Sequence, residues 1–94
     1  MNIHYVTLFD YYGELFTDKQ KEYFVDYYFN NLTLQEIADN NNVSRNAVHK
    51  NIKEILAKLD YYEEKLNLYS NKKKIVKLLD EVDESIKKQI KELI

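Results

Sequence analysis

Ninety-four residues, 45% of them apolar and 32% charged, can bury one small core with at most an appendage, and this is not the depleted, highly charged composition of a disordered chain. One glycine, no proline and no cysteine remove the turn punctuation that sheets need, along with disulfide frameworks and thiolate zinc sites. A net charge of −2 and a pI near 5.7 exclude a uniformly basic binder, so any contact with nucleic acid must rest on locally concentrated positive charge.

The fold class expected is therefore all-α. A first helix is predicted over about residues 3–15, where Tyr5, Leu8, Phe9, Tyr12 and Leu15 form one apolar stripe and Gly13 weakens the last turn. No basic start followed by an apolar run opens the chain, and no stretch approaches the roughly 18 apolar residues of a membrane span, so the cytoplasm is the default location. Thr17 with Gln20 three residues on is a capping box for a second helix reaching about Phe29, with Phe24, Tyr27 and Tyr28 inward. Asn30 and Asn31 end it. Thr33 with Glu36 caps a short third helix whose Leu34, Ile37 and Ala38 face the core, and Asn40, Asn41 and Asn42 read as a three-residue breaker. Ser44 caps a fourth helix with no evident stop before Leu68. Along it Val48, Ile52, Ile55, Leu59, Tyr62 and Leu66 make a seam over about 25 residues, about 37 Å of helix. Such a helix overruns a compact three-helix unit, so its distal half needs cover from the C-terminal segments or a second chain. Tyr69-Ser70-Asn71 reads as a break. Ile75, Val76, Leu78 and Leu79 then predict a short fifth helix, and Ile86, Ile90, Leu93 and Ile94 a sixth. The expected organisation is a domain over 1–68 and a helical extension over 69–94.

The informative stretch is 33–58, which has the parts of a helix-turn-helix unit. Thr33 caps the first helix, Ile37 faces inward from it, and Ala38 is the small residue that permits a close crossing. Asn42 takes the turn position that needs positive φ, Val43 is the expected apolar plug, and Ser44 caps the second helix. Val48 and Ile52 form that helix's buried face. Arg45, Asn46, His49, Lys50 and Lys53 point away from the seam and are the candidate nucleic-acid contacts. Arg45 offers a fork for guanine and Asn46 an amide for adenine or phosphate. Residues 44–58 carry a net charge of +3, fewer positive groups than the 6–10 phosphate contacts of a typical duplex binder. An ordinary solvated helix face is the competing reading. Lys72-Lys73-Lys74 is read first as solvated, with RNA or an acidic protein as its alternatives. The tyrosines at helical spacing are assigned to core or interface. No nucleophile, phosphate loop or ligand set emerges, so no enzyme activity, metal or cofactor is expected.

Several segments together resemble the YlxM family of small bacterial helix-turn-helix proteins. They are Leu15-Phe16-Thr17-Asp18-Lys19-Gln20, residues 34–39, Val43-Ser44-Arg45 with Ala47-Val48, Asn51-Ile52-Lys53, and Tyr62-Glu63-Glu64-Lys65-Leu66. Asn41 and Asn42 stand where the family usually carries an apolar aromatic and a glycine, and Glu54 where it carries a basic residue. The resemblance implies a core similar to the last helix-turn-helix segment of sigma factors. It also implies a regulatory association with the signal recognition particle pathway, through the particle's GTPase or RNA, or alternatively DNA-binding regulation. The overlong fourth helix and the tyrosine-rich first helix add the expectation of a homodimer.

Overall fold

The computed structural model describes residues 3–93. The order is α1 (Ile3–Tyr12), a 3-10 turn (Gly13–Leu15), α2 (Asp18–Tyr28), α3 (Leu34–Asn41), α4 (Arg45–Leu66), α5 (Leu68–Leu79) and α6 (Glu84–Leu93), with no strand among the described residues. No described helix is long and apolar enough to cross a membrane. Ile94, expected in the last helix, lies outside the described residues.

The three expected caps form. Thr17 and Thr33 accept from the backbone N–H groups of Gln20 and Glu36, whose side chains in turn accept from the threonine N–H groups. Each capping box satisfies donors that a helix start otherwise leaves open. Ser44 accepts from the Ala47 N–H at 3.1 Å. Three reversals fall on asparagines in the left-handed region, Asn31, Asn42 and Asn67, with φ of 56°, 55° and 53°. Asparagine is the residue after glycine that best tolerates this conformation, and the chain's one glycine is used elsewhere. A Cβ on Gly13 would stand 3.3 Å from the Phe9 ring. Gly13 lets the chain pass that ring closely.

At the helix-turn-helix, Asn40 and Asn41 belong to the last turn of α3, and Asn42 alone breaks it. The Val43 N–H bonds to the Ala38 carbonyl at 3.1 Å, and the Asn42 N–H to the Ala38 and Asp39 carbonyls. This is a Schellman-type closure. It corrects the role expected of Val43, whose side chain is 40% exposed. Val43 fixes the turn through its backbone, and Ile37, Ala38, Val48 and Ile52, all buried, fill the space between the helices.

α4 is the central element and packs against α1, α2 and α3. Its Val48, Ile52, Ile55 and Leu59 are buried together with Leu8, Tyr12, Phe16, Tyr23 and Phe24. Aromatic rings supply much of this core: Phe24 stacks on Phe9 at 4.1 Å and on Tyr28 at 4.6 Å between centroids. Leu15 points outward at 55% exposure because the 3-10 turn shifts the register after Tyr12, and Phe16 takes the buried position. Tyr27 is likewise at the rim, and Tyr23 lies inside in its place.

The distal half of α4 is covered from within the chain as far as Tyr62; Leu66, expected on the seam, is 49% exposed. Tyr5 donates to Asp60 at 2.9 Å, Phe16 meets Tyr62 edge-on, and α5 packs against both α1 and α4. Those contacts engage the tyrosines of α1 that had pointed to a dimer. The break between α4 and α5 falls at Asn67, so Tyr69, Ser70 and Asn71 lie in the first turn of α5 rather than forming a loop. Glu63 makes this corner. Its carboxylate accepts from the Tyr12 hydroxyl at 2.6 Å and from the Tyr69 and Ser70 N–H groups at 3.2 and 3.1 Å, while the Leu68 N–H donates to the Tyr12 oxygen at 3.0 Å. A side chain from the preceding helix thus caps α5, whose own Asn67 side chain makes no cap bond.

α6 buries no residue and packs on no other helix to a comparable extent. Lys87 ties it back to the end of α5 through Asp80 at 3.1 Å, with Glu84 at 3.7 Å, and the hydrogen bond to Asp80 holds the ammonium pKa above its usual value. The molecule is elongated, 55 × 24 × 20 Å with a radius of gyration of 17.0 Å, against ~13 Å for a compact chain of similar length.

Candidate nucleic-acid interface

The N-terminal half of α4 carries the candidate contacts. Arg45, Asn46, His49, Lys50 and Lys53 are all exposed, and none takes part in the ion pairs found among the described residues. A shallow open depression is lined by Asn46, His49, Lys50, Lys53, Glu54 and Ala57. Four of the five candidates are therefore brought together on one stripe, with Arg45 at the first position of the helix beside it. The opposite face, Val48 and Ile52, is buried and fixes the rotation of the stripe.

The start of α4 differs chemically from the starts of α2 and α3. Both of those have a first-turn carboxylate and a capping box; α4 has no acidic residue in its first turn and only the single Ser44 cap bond. The partial positive charge of its N-terminus is left uncompensated, and Arg45 adds a full one. Across α1–α3, by contrast, seven carboxylates face two lysines. The positive end of α4 stands out against an acidic body.

Rigidity is supplied from behind. Lys19 of α2 bonds the Asn41 side chain, whose amide donates to the Ile37 carbonyl at 2.7 Å, and Gln35 donates to Asp39 at 2.8 Å. These contacts fix the end of α3 and with it the angle at which α4 leaves the turn. The tie through Asn41 was missed in the sequence, where Asn41 looked only like a helix breaker. Glu54 is exposed on the lining of the depression and subtracts from its charge. Among the described residues no three His, Asp or Glu side chains are grouped so as to hold a metal ion.

A capped short helix, a left-handed turn and a longer helix with an exposed polar stripe define a helix-turn-helix protein. The chain belongs to the family described as "Putative helix-turn-helix protein, YlxM / p13 like", whose profile matches residues 2–94. Its relatives include UPF0122 proteins of Fusobacterium nucleatum, 45% identical over 93% of this chain and 84% of the relative. Another, from Malacoplasma penetrans, is 41% identical over 92% of this chain and 86% of the relative. A third, from Halalkalibacterium halodurans, is 44% identical over 87% and 75%.

Proposed function

We propose that the protein is a DNA-binding regulator that sets the N-terminal half of α4 into a duplex groove. The observation that carries this reading is the exposed, unpaired stripe of Asn46, His49, Lys50 and Lys53 beside Arg45, at a helix start with no carboxylate. Arg45 and Asn46 have the chemistry to read base edges; Lys50 and Lys53 serve as phosphate contacts. A sigma-type use of the unit fits the same face. Two copies would present two such helices to a palindromic site, and the exposed Leu78 of α5, Val82 of the turn after it and Ile86 of α6 offer an apolar surface for pairing.

Duplex binding measured over a salt series tests this. Arg45→Ala is expected to cost about 1–3 kcal/mol and relax sequence preference, and Lys50→Ala to lower the slope of log K against log salt by about 1. If both substitutions leave affinity and slope unchanged, α4 does not enter the groove. Light scattering of the complex reads the copy number: one copy per palindromic duplex would remove the dimer.

A second reading, a regulatory adaptor of the signal recognition particle pathway, is favoured by the acidic α1–α3 body, which suits a protein partner better than a duplex. Failure to retain either the particle's GTPase or its RNA on the immobilised chain would remove that reading.

A further inference from the structure

The positive charge on α4 is thin for a duplex binder, and a second basic surface stands on α5. Within its twelve residues α5 carries Lys72, Lys73, Lys74 and Lys77 and no carboxylate. All four are exposed, and none belongs to the ion pairs of the described residues. Four like charges on fewer than two helical turns repel one another, and no ion pair among the described residues offsets them. Lys73, Lys74 and Lys77 join His4 along an open groove of about 580 Å³ whose other lining residues are Glu63, Tyr69 and Ser70. Glu63 is the carboxylate there, and it is already engaged by Tyr12 and the first turn of α5. Lys72 lies over the Tyr11 ring and Lys73 over the Tyr69 ring, at 5.9 and 5.1 Å from the centroids. The rings help to hold these two stems while the ammonium groups stay in water. Asp80 lines a neighbouring depression, next to Lys77, but pairs with Lys87.

We infer that this lysine face is a second phosphodiester-backbone contact, flanking on the same duplex the site that α4 reads. The inference rests on the DNA-binding reading above. The combined basic groups of α4 and α5 reach the number that 6–10 phosphate contacts call for, which α4 alone does not. α5 follows α4 after the single residue Asn67 and folds back on α1 and α4, which sets its lysines beside the distal half of α4, where Glu63 and His4 line the same groove, beyond the N-terminal half that carries Arg45 to Lys53. Lysines on a helix flank carry no base-reading fork, so the contact is independent of sequence.

The test is fluorescence anisotropy of the full chain on labelled duplex DNA of about three helical turns, between ~50 and ~200 mM salt. The Lys72→Gln/Lys73→Gln/Lys74→Gln/Lys77→Gln variant is expected to lower the salt slope by ~2–4, at about 0.9 per phosphate, and to weaken every sequence alike. The corresponding four-arginine variant is expected to keep the native slope. Circular dichroism of each variant confirms that the helices persist. A glutamine variant that retains the native slope to within ~0.5 overturns the inference, and the groove reading survives if Arg45→Ala/Lys50→Ala still impairs binding. Should only the glutamine variant lose binding, the lysine face binds backbone by itself and the flanking arrangement fails. A native chain with no duplex affinity removes both.

Discussion

Replacing Phe24 with alanine is expected to cost about 3–5 kcal/mol and to leave the chain close to unfolding at physiological temperature. Phe24 is fully buried, and its ring is sandwiched between Phe9 at 4.1 Å and Tyr28 at 4.6 Å, with Phe29 at its edge at 6.2 Å. Deleting it removes the transfer energy of the ring and leaves a cavity bounded by other rings, which are too stiff to collapse into it. A domain of this size has only about 5–15 kcal/mol in total. The check is the urea midpoint at unchanged m-value. Tyr27→Ala, at the rim of the same helix, is the control and is expected to cost less than ~1 kcal/mol. A loss of under ~1.5 kcal/mol for Phe24→Ala would mean that the aromatic layer does not organise this core.

Much of this architecture is written locally in the sequence. Thr17/Gln20 and Thr33/Glu36 each announce a helix start within four residues, and the seam Val48, Ile52, Ile55, Leu59 fixes the buried face of α4 without knowledge of its neighbours. The exposed stripe of Arg45 to Lys53 follows by elimination. What was not legible depends on tertiary partners or on left-handed turns. Asn40, Asn41 and Asn42 look equivalent as a string, yet the first two continue α3 because Asn41 is held by Ile37 and Lys19. Tyr69, Ser70 and Asn71 look like a loop, yet they are helical because Glu63 caps them from the preceding helix. Leu15, placed on the apolar stripe by a 3.6-residue period, turns outward because a 3-10 turn departs from that period, and Phe16 is buried instead. Val43 has the right side chain for a plug and the wrong environment for one.

Charge distribution links the fold to the proposed function. On α1–α3 seven carboxylates outnumber two lysines, four more carboxylates stand on α4 and five follow α5, while lysines without a salt-bridge partner stand on the first half of α4 and on α5. A net charge of −2 therefore conceals a molecule whose two basic surfaces are joined by one long helix. Long-range steering toward a polyanion depends on that local field and fades with salt, because the acidic body is only a Debye length or two away. Whether α4 and α5 act on one duplex depends on how rigidly the corner between them is held.

That corner is the basis of the second large effect. Glu63→Ala is expected to cost about 2–3 kcal/mol and to free α5 from α1, because it leaves the buried Tyr12 hydroxyl without its acceptor and opens two N–H groups of the first turn of α5. Tyr12→Phe removes one donor and the acceptor of the Leu68 N–H and is expected to cost about 1–2 kcal/mol. The two losses share partners, so the double variant should lose less than their sum. Hydrogen exchange locates the effect: amides of α5 and α6 should exchange faster in Glu63→Ala while those of α3 and the first half of α4 keep their protection. Burial, and then the hydrogen bond to Glu63, raise the Tyr12 pKa above its ordinary value of 10.0. Its neutral form is thus favoured by folding, and the stability this gives is complete below pH about 10 and lost as pH rises through the higher folded-state value. The corner should loosen in that alkaline window, and Tyr12→Phe should abolish that part of the pH dependence. Equal exchange in α5 and α6 for Glu63→Ala and the native chain would show that packing against α1, rather than the carboxylate, holds the corner closed.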